Sequence, residues 1–131
     1  MRSVILIAAL AIAPAAAWAG DKADPAAGAK TFAACSICHR VGEGAENVVG
    51  PELNGIVGRK AGSVQSFAYS EAMKASGITW TEDLLLTFIA APRKTVPGTR
   101  MTYAGMKDEA AARNLVAYLA SFRSDGTRSA P

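Results

Sequence analysis

Cys35-Ser36-Ile37-Cys38-His39 is the stretch on which the reading of this 131-residue chain turns. It gathers both cysteines and the sole histidine of the sequence into five consecutive residues. Spaced as C-x-x-C-H, they form the attachment pattern for a c-type haem. Two thiols add across the porphyrin vinyl groups as thioethers, the two-residue spacer matches the vinyl separation, and the adjacent imidazole reaches the iron as proximal ligand. Two readings compete. A dithiol redox motif leaves His39 without a part, and no strand-helix-strand pattern surrounds it. A small domain stapled by a Cys35–Cys38 disulfide suits an oxidising compartment, but makes the nearness of His39 a coincidence.

Counting closes other routes. Two cysteines and one histidine cannot build a zinc site of four cysteines, or one of two cysteines and two histidines. Nor can they build a disulfide-dense scaffold, and a triad enzyme would have to use the one histidine. The formal net charge is +3, with 19% of residues charged. That is too mild for a dedicated nucleic-acid binder and too sparse in charge for a disordered chain. The length suits one small domain.

Upstream of the motif, Arg2 followed by apolar Val4 to Ala13 and then Ala17-Trp18-Ala19 reads as a secretory leader with an A-x-A cleavage site. Cleavage is expected after Ala19, placing the protein in the periplasm. Residues 20–123 then form the folded domain, and the polar residues 124–131 a flexible tail.

The domain reads as helices joined by long Gly-rich loops. Asp24-Pro25 starts the first helix as N-cap and N1, with Ala29, Phe32 and Ala33 on one face. Six glycines between Gly42 and Gly62 break any period. A short helix is expected over 70–75 and a longer one over 81–91, with Glu82 and Asp83 in its first turn and Pro92 ending it. Residues 93–105 read as loop. The longest helix, 108–123, carries the stripe Ala112, Leu115, Val116 and Leu119, extended by Phe122. No strand alternation and no internal repeat are present. Two long loops in so small a domain are uncommon unless functional, so a large apolar object is expected inside them.

With His39 as the sole histidine, bis-His ligation is excluded and Met is the remaining good sixth ligand. Met101 ranks first because the stiff turn Val96-Pro97-Gly98-Thr99-Arg100 precedes it. Met106 and Met73 rank behind it, each also suited to plain core packing.

From Gly28 to Leu119 the chain resembles the class I c-type cytochromes, the group shared by mitochondrial cytochrome c and bacterial periplasmic cytochromes. Five blocks carry the resemblance: Gly28-x-x-x-Phe32-x-x-Cys35-x-x-Cys38-His39, Gly50-Pro51-x-Leu53-x-Gly55, Gly58-Arg59-Lys60, Gly77-Ile78-Thr79-Trp80 and Pro92-x-Lys94-x-Val96-Pro97-Gly98-Thr99-x-Met101. Leu115-x-x-Tyr118-Leu119 completes them. The resemblance implies an all-α fold of three main helices and a short one around one covalent haem c held through Cys35 and Cys38. It also implies iron ligation by His39 and Met101, and a Pro51 carbonyl that accepts from the His39 Nδ1–H. Arg59, Tyr69 and Trp80 would face the haem propionates, with Ser70 near one and Thr99 donating to the other or to an internal water. Gly28 and Phe32 would cross Leu115 and Tyr118.

Two positions depart from the pattern. Phe88 stands where many members carry Tyr, and Met73 where many carry Asn, so a drier pocket is expected. Arg93, Lys94, Arg100 and Lys107, with Lys60, suggest a positive ring around the haem edge that steers acidic redox partners. Such partners include a quinol:cytochrome c oxidoreductase, a terminal oxidase, a photosynthetic reaction centre or a periplasmic dehydrogenase. The function implied is one-electron transfer by a monomer in a respiratory or related chain. The alternative is a haem peroxidase or small-gas binder with a labile Met101.

Overall fold

A computed structural model describes residues 22–129. The expected leader 1–19, with its cleavage point after Ala19, lies outside the described residues. Five helices follow one another: α1 (Pro25–Phe32), α2 (Glu71–Ala75), α3 (Glu82–Ala90), α4 (Pro92–Thr95) and α5 (Glu109–Ala120). A 3-10 turn, Cys35–Ile37, follows α1. Among the described residues there is no strand, only two isolated bridges, Lys60 with Thr79 and Phe122 with Arg128.

Each main helix is started by a polar side chain that satisfies a free amide. Asp24 accepts from Ala26 N–H ahead of Pro25, Thr81 from Leu84 N–H, and Asp108 from Ala111 N–H. Ser70 does the same for short α2. The frame is the packing of α1 and α3 on α5. The α5 stripe is as expected: Ala112, Leu115, Val116 and Leu119 are buried.

On α1 the expectation needs correcting. Ala29 and Ala33 are exposed, and Gly28 and Phe32 are the buried pair. Methyl groups bury little area, so their periodicity was a weak guide, and the line of closest approach runs through the glycine. Tyr118 of α5 meets Phe32 with ring centroids 5.6 Å apart. The Asp24 amide donates to Asn114 Oδ1 at 2.8 Å.

Two further segments depart from the expectation. Pro92 ends α3 and also opens α4, where a ring without an N–H suits the first helical position. Thr95 Oγ1 fastens that turn by donating to the carbonyls of Ala91 and Thr87 at 3.0 and 3.2 Å. The described part of the polar tail, residues 124–129, is hydrogen-bonded to the end of α5 and the residues after it. Arg123 N–H donates to Thr127 O, and Ser129 N–H to Ser121 O, each at 2.8 Å. The Arg128 guanidinium sits 5.3 Å from the centroids of both Tyr118 and Phe122. Cation–π attraction to two rings gives this arginine a place that polarity alone did not reveal.

Candidate cofactor site

The 3-10 turn shapes the motif. The amides of Cys38 and His39 both donate to Cys35 O, at 3.0 and 2.9 Å, so the chain curls tightly from the first thiol to the imidazole. The two cysteines form no disulfide. Burial, and then the neighbouring Cys38, pushes the Cys35 thiol up from its ordinary value. Reactive redox cysteines have the opposite property, a lowered thiol pKa, so the environment disfavours the dithiol reading.

His39 is fixed from behind. Its Nδ1 lies 2.7 Å from Pro51 O, and a carbonyl only accepts, so Nδ1 carries the proton and Nε2 holds the lone pair. Burial lowers the imidazole pKa. The bond to Pro51 opposes that shift, and the Arg59 cation adds to it. The ring is therefore neutral near pH 7, the form that binds metals. Gly50 is required by space. A Cβ there would overlap His39 Cε1 and come 2.7 Å from Nδ1. Gly50→Ala is expected to displace the ring and lower stability by about 1–3 kcal/mol. Denaturant midpoints of variant and parent check this.

His39 opens on a cavity of about 670 Å3, within the range of cofactor sites. Phe32, Leu85, Phe88, Leu115 and Leu119 supply apolar wall. Cys35, Cys38, Pro51, Arg59, Tyr69, Trp80, Thr99 and Met101 line the same space, so the expected site residues are brought together. Backbone pairing explains part of this. Gly58 N–H donates to Trp80 O at 2.7 Å and Trp80 N–H to Arg59 O at 2.9 Å, which sets Arg59 beside Trp80. Tyr69 OH accepts from Val64 N–H at 3.4 Å, leaving its proton to donate. Burial raises the Tyr69 pKa, keeping that proton in place. Ser70 also lines the cavity, with its oxygen accepting from Met73 N–H at 3.1 Å.

The methionines separate. Met101 and Met73 line the cavity, whereas Met106 does not and its amide donates to Ile89 O at 2.9 Å. Met101 follows a turn closed by Thr99 N–H to Val96 O at 3.0 Å, and its own amide donates to Thr99 Oγ1 at 3.3 Å. Met73 is buried on α2, and Phe88 packs against Trp80 with centroids 5.0 Å apart. Both departures from the family pattern therefore put apolar side chains on the wall. Of the five basic residues expected around the haem edge, Lys60 and Arg100 reach the cavity lining. Arg93, Lys94 and Lys107 lie off it.

Two residues escaped the sequence reading. Asn54 is buried and pairs with both backbone groups of Gly42, at 2.8 and 2.9 Å. Glu52 forms an ion pair with Arg59 at 3.0 Å. Neither has a local signal, because the partners lie across a loop.

The family described as Cytochrome c matches residues 25–123. The chain belongs to the cytochrome c family. It is 51% identical over 105 residues to cytochrome c2 of Rhodoblastus acidophilus, covering 80% of this chain and 98% of that protein. It is 50% identical over 107 residues to cytochrome c-550 of Ancylobacter novellus, covering 79% of this chain and all of that one. Among solved structures, cytochrome cH from Methylobacterium extorquens superposes with a TM-score of 0.69 at 44% identity, covering 73% of this chain and 96% of that one. The fold is thus the all-α class I cytochrome c fold. As a bacterial class I c-type cytochrome, the chain carries one haem c bound covalently through Cys35 and Cys38, and it is an electron carrier rather than an enzyme. The site fits that group: paired thiols on one turn, a neutral imidazole facing an apolar cavity, and donors on the wall of that cavity.

Proposed function

We propose that this cytochrome is a soluble periplasmic one-electron carrier whose haem iron is held by His39 and Met101. The observation that carries the reading is the pairing on one cavity of an imidazole locked by Pro51 with a Met mounted on a hydrogen-bonded turn. Bound haem supplies the Fe(II)/Fe(III) couple. The protein supplies rigidity, because ligands that hold position across both oxidation states need little reorganisation. Arg59, Tyr69, Trp80 and Thr99 offer N–H and O–H donors to the propionates, which need partners once buried. Export rests on the leader expected over 1–19. No helix among the described residues is long and apolar enough to cross a membrane.

The visible spectrum of the oxidised protein tests the ligation. A c-type haem with the weak charge-transfer band of a Met sulfur on ferric iron is expected, as is no uptake of carbon monoxide by the ferrous form. Haem without the band, with ready carbon monoxide binding, would move peroxidase or gas-binding chemistry to first place.

Docking is assigned to the cavity mouth. Lys60 and Arg100 line the cavity, Ile37 and Val49 are exposed apolar residues of the same lining, and the exposed Arg93, Lys94 and Lys107 flank Met101 in sequence. An acidic redox partner is steered to such a surface. A quinol:cytochrome c oxidoreductase, terminal oxidase, reaction centre or periplasmic dehydrogenase fits that description, and the carrier acts as a monomer. The bimolecular rate with an acidic partner is expected to fall roughly tenfold between ~10 and ~200 mM salt, as the Debye length shrinks below the charge spacing. A rate indifferent to salt, measured by stopped flow, would argue against this surface.

A further inference from the structure

Arg59 does not meet the cavity as a free cation. Its Nη1 donates to Glu52 Oε1 at 3.0 Å and to Asn54 O at 2.9 Å, and its Nη2 donates to Glu52 O at 2.7 Å. The second carboxylate oxygen of Glu52 accepts from Asn54 N–H at 2.6 Å, and the Glu52 amide donates to Asn47 Oδ1 at 2.9 Å. Both side chains are mostly buried, 16% exposed for Arg59 and 21% for Glu52. Exposed ion pairs contribute little, but this one is held at both ends. Arg59 lines both the main cavity and a shallow groove beside it, whereas among the described residues Glu52 lines only the groove. The carboxylate therefore backs the guanidinium from the side away from the cavity.

We propose that Glu52 is a positioning residue that lowers the haem potential through Arg59, by holding the guanidinium back from the cavity. This rests on the reading that Arg59 faces the propionates. Oxidation adds one positive charge at the iron. A nearby cation resists that change and a nearby anion favours it. Arg59 stabilises the ferrous state more strongly the nearer it comes to the haem, and Glu52 limits that approach. Partial burial keeps the charges from being screened as surface charges are.

Potentiometric titration of the holoprotein against a reference couple tests this. Glu52→Gln is expected to shift the one-electron equilibrium about three- to tenfold toward the reduced form, where tenfold is 59 mV. Arg59→Gln shifts it the other way. In the Arg59→Gln background, Glu52→Gln should lose most of its effect, since coupled residues are non-additive. Glu52→Asp keeps the charge but falls one methylene short of Nη1. It should give a smaller rise, and it decides the matter if Glu52→Gln does not fold. An unmoved potential, a fall, or an equal shift with and without Arg59 overturns the proposal. The charge-transfer band, recorded on the same samples, keeps the two readings apart. Its absence in the parent protein strikes the Met101 ligation, whereas its presence beside an unmoved potential strikes Glu52 alone.

Discussion

Met101→Ala is expected to abolish the charge-transfer band of the ferric protein and to lower its midpoint potential by on the order of 0.2 V, part of the roughly 0.8 V that axial ligands span. A thioether is a soft, neutral ligand that favours ferrous iron, and its loss removes that preference. The geometry makes the test selective. Met106 lies off the cavity, so Met106→Ala should leave band and potential in place. Met73 shares the cavity but sits on α2, whose Ser70 cap already holds its amide at 3.1 Å. Met73→Ala should therefore keep the band. A band that survives Met101→Ala and vanishes in Met73→Ala would transfer the ligand role to Met73.

Gly28→Val should cost about 3 kcal/mol or more of unfolding free energy, above the usual range for overpacking. A Cβ at residue 28 would overlap the Asn114 carbonyl oxygen and come 2.8 Å from Tyr118 Cβ. The obstruction is backbone, which no rotamer change can move aside. Helix propensity alone would favour any residue but proline over glycine here, so the sign of the effect separates the two influences. Separating α1 from α5 would also open the contact of Phe32 with Tyr118. A total stability of about 5–15 kcal/mol is typical for a domain, so a large share is at stake. A denaturant midpoint equal to that of the parent would mean that the helices cross less closely than described.

What could be read from the sequence follows from how local the physics is. C-x-x-C-H is dictated by covalent spacing, and Asp24 acts as N-cap on an amide two residues away. Those features were legible. The two variable positions of Gly50-Pro51-x-Leu53-x-Gly55 were not. Glu52 and Asn54 are ordinary loop residues until the chain closes on Arg59 and Gly42. Arg128 is similar, because nothing in a polar tail predicts two aromatic rings beneath it. The stripe on α1 failed for a different reason. Alanine periodicity is too weak in buried area to compete with one glycine at a helix crossing. The turn before Met101 ranks it first among the three methionines in the sequence, whereas the position of Met106 off the cavity wall had no sequence signal.

The seam between α1 and α5 has a consequence for the newly made chain. Asp24 meets Asn114 across 90 residues, and among the described residues α1 packs on no α-helix other than α5. Contacts between segments so far apart in sequence must bear the entropy of closing the loop between them, which slows folding. A chain that lacks α5 therefore has no other α-helix on which to dock its first. The same seam that makes the finished protein compact postpones its closure.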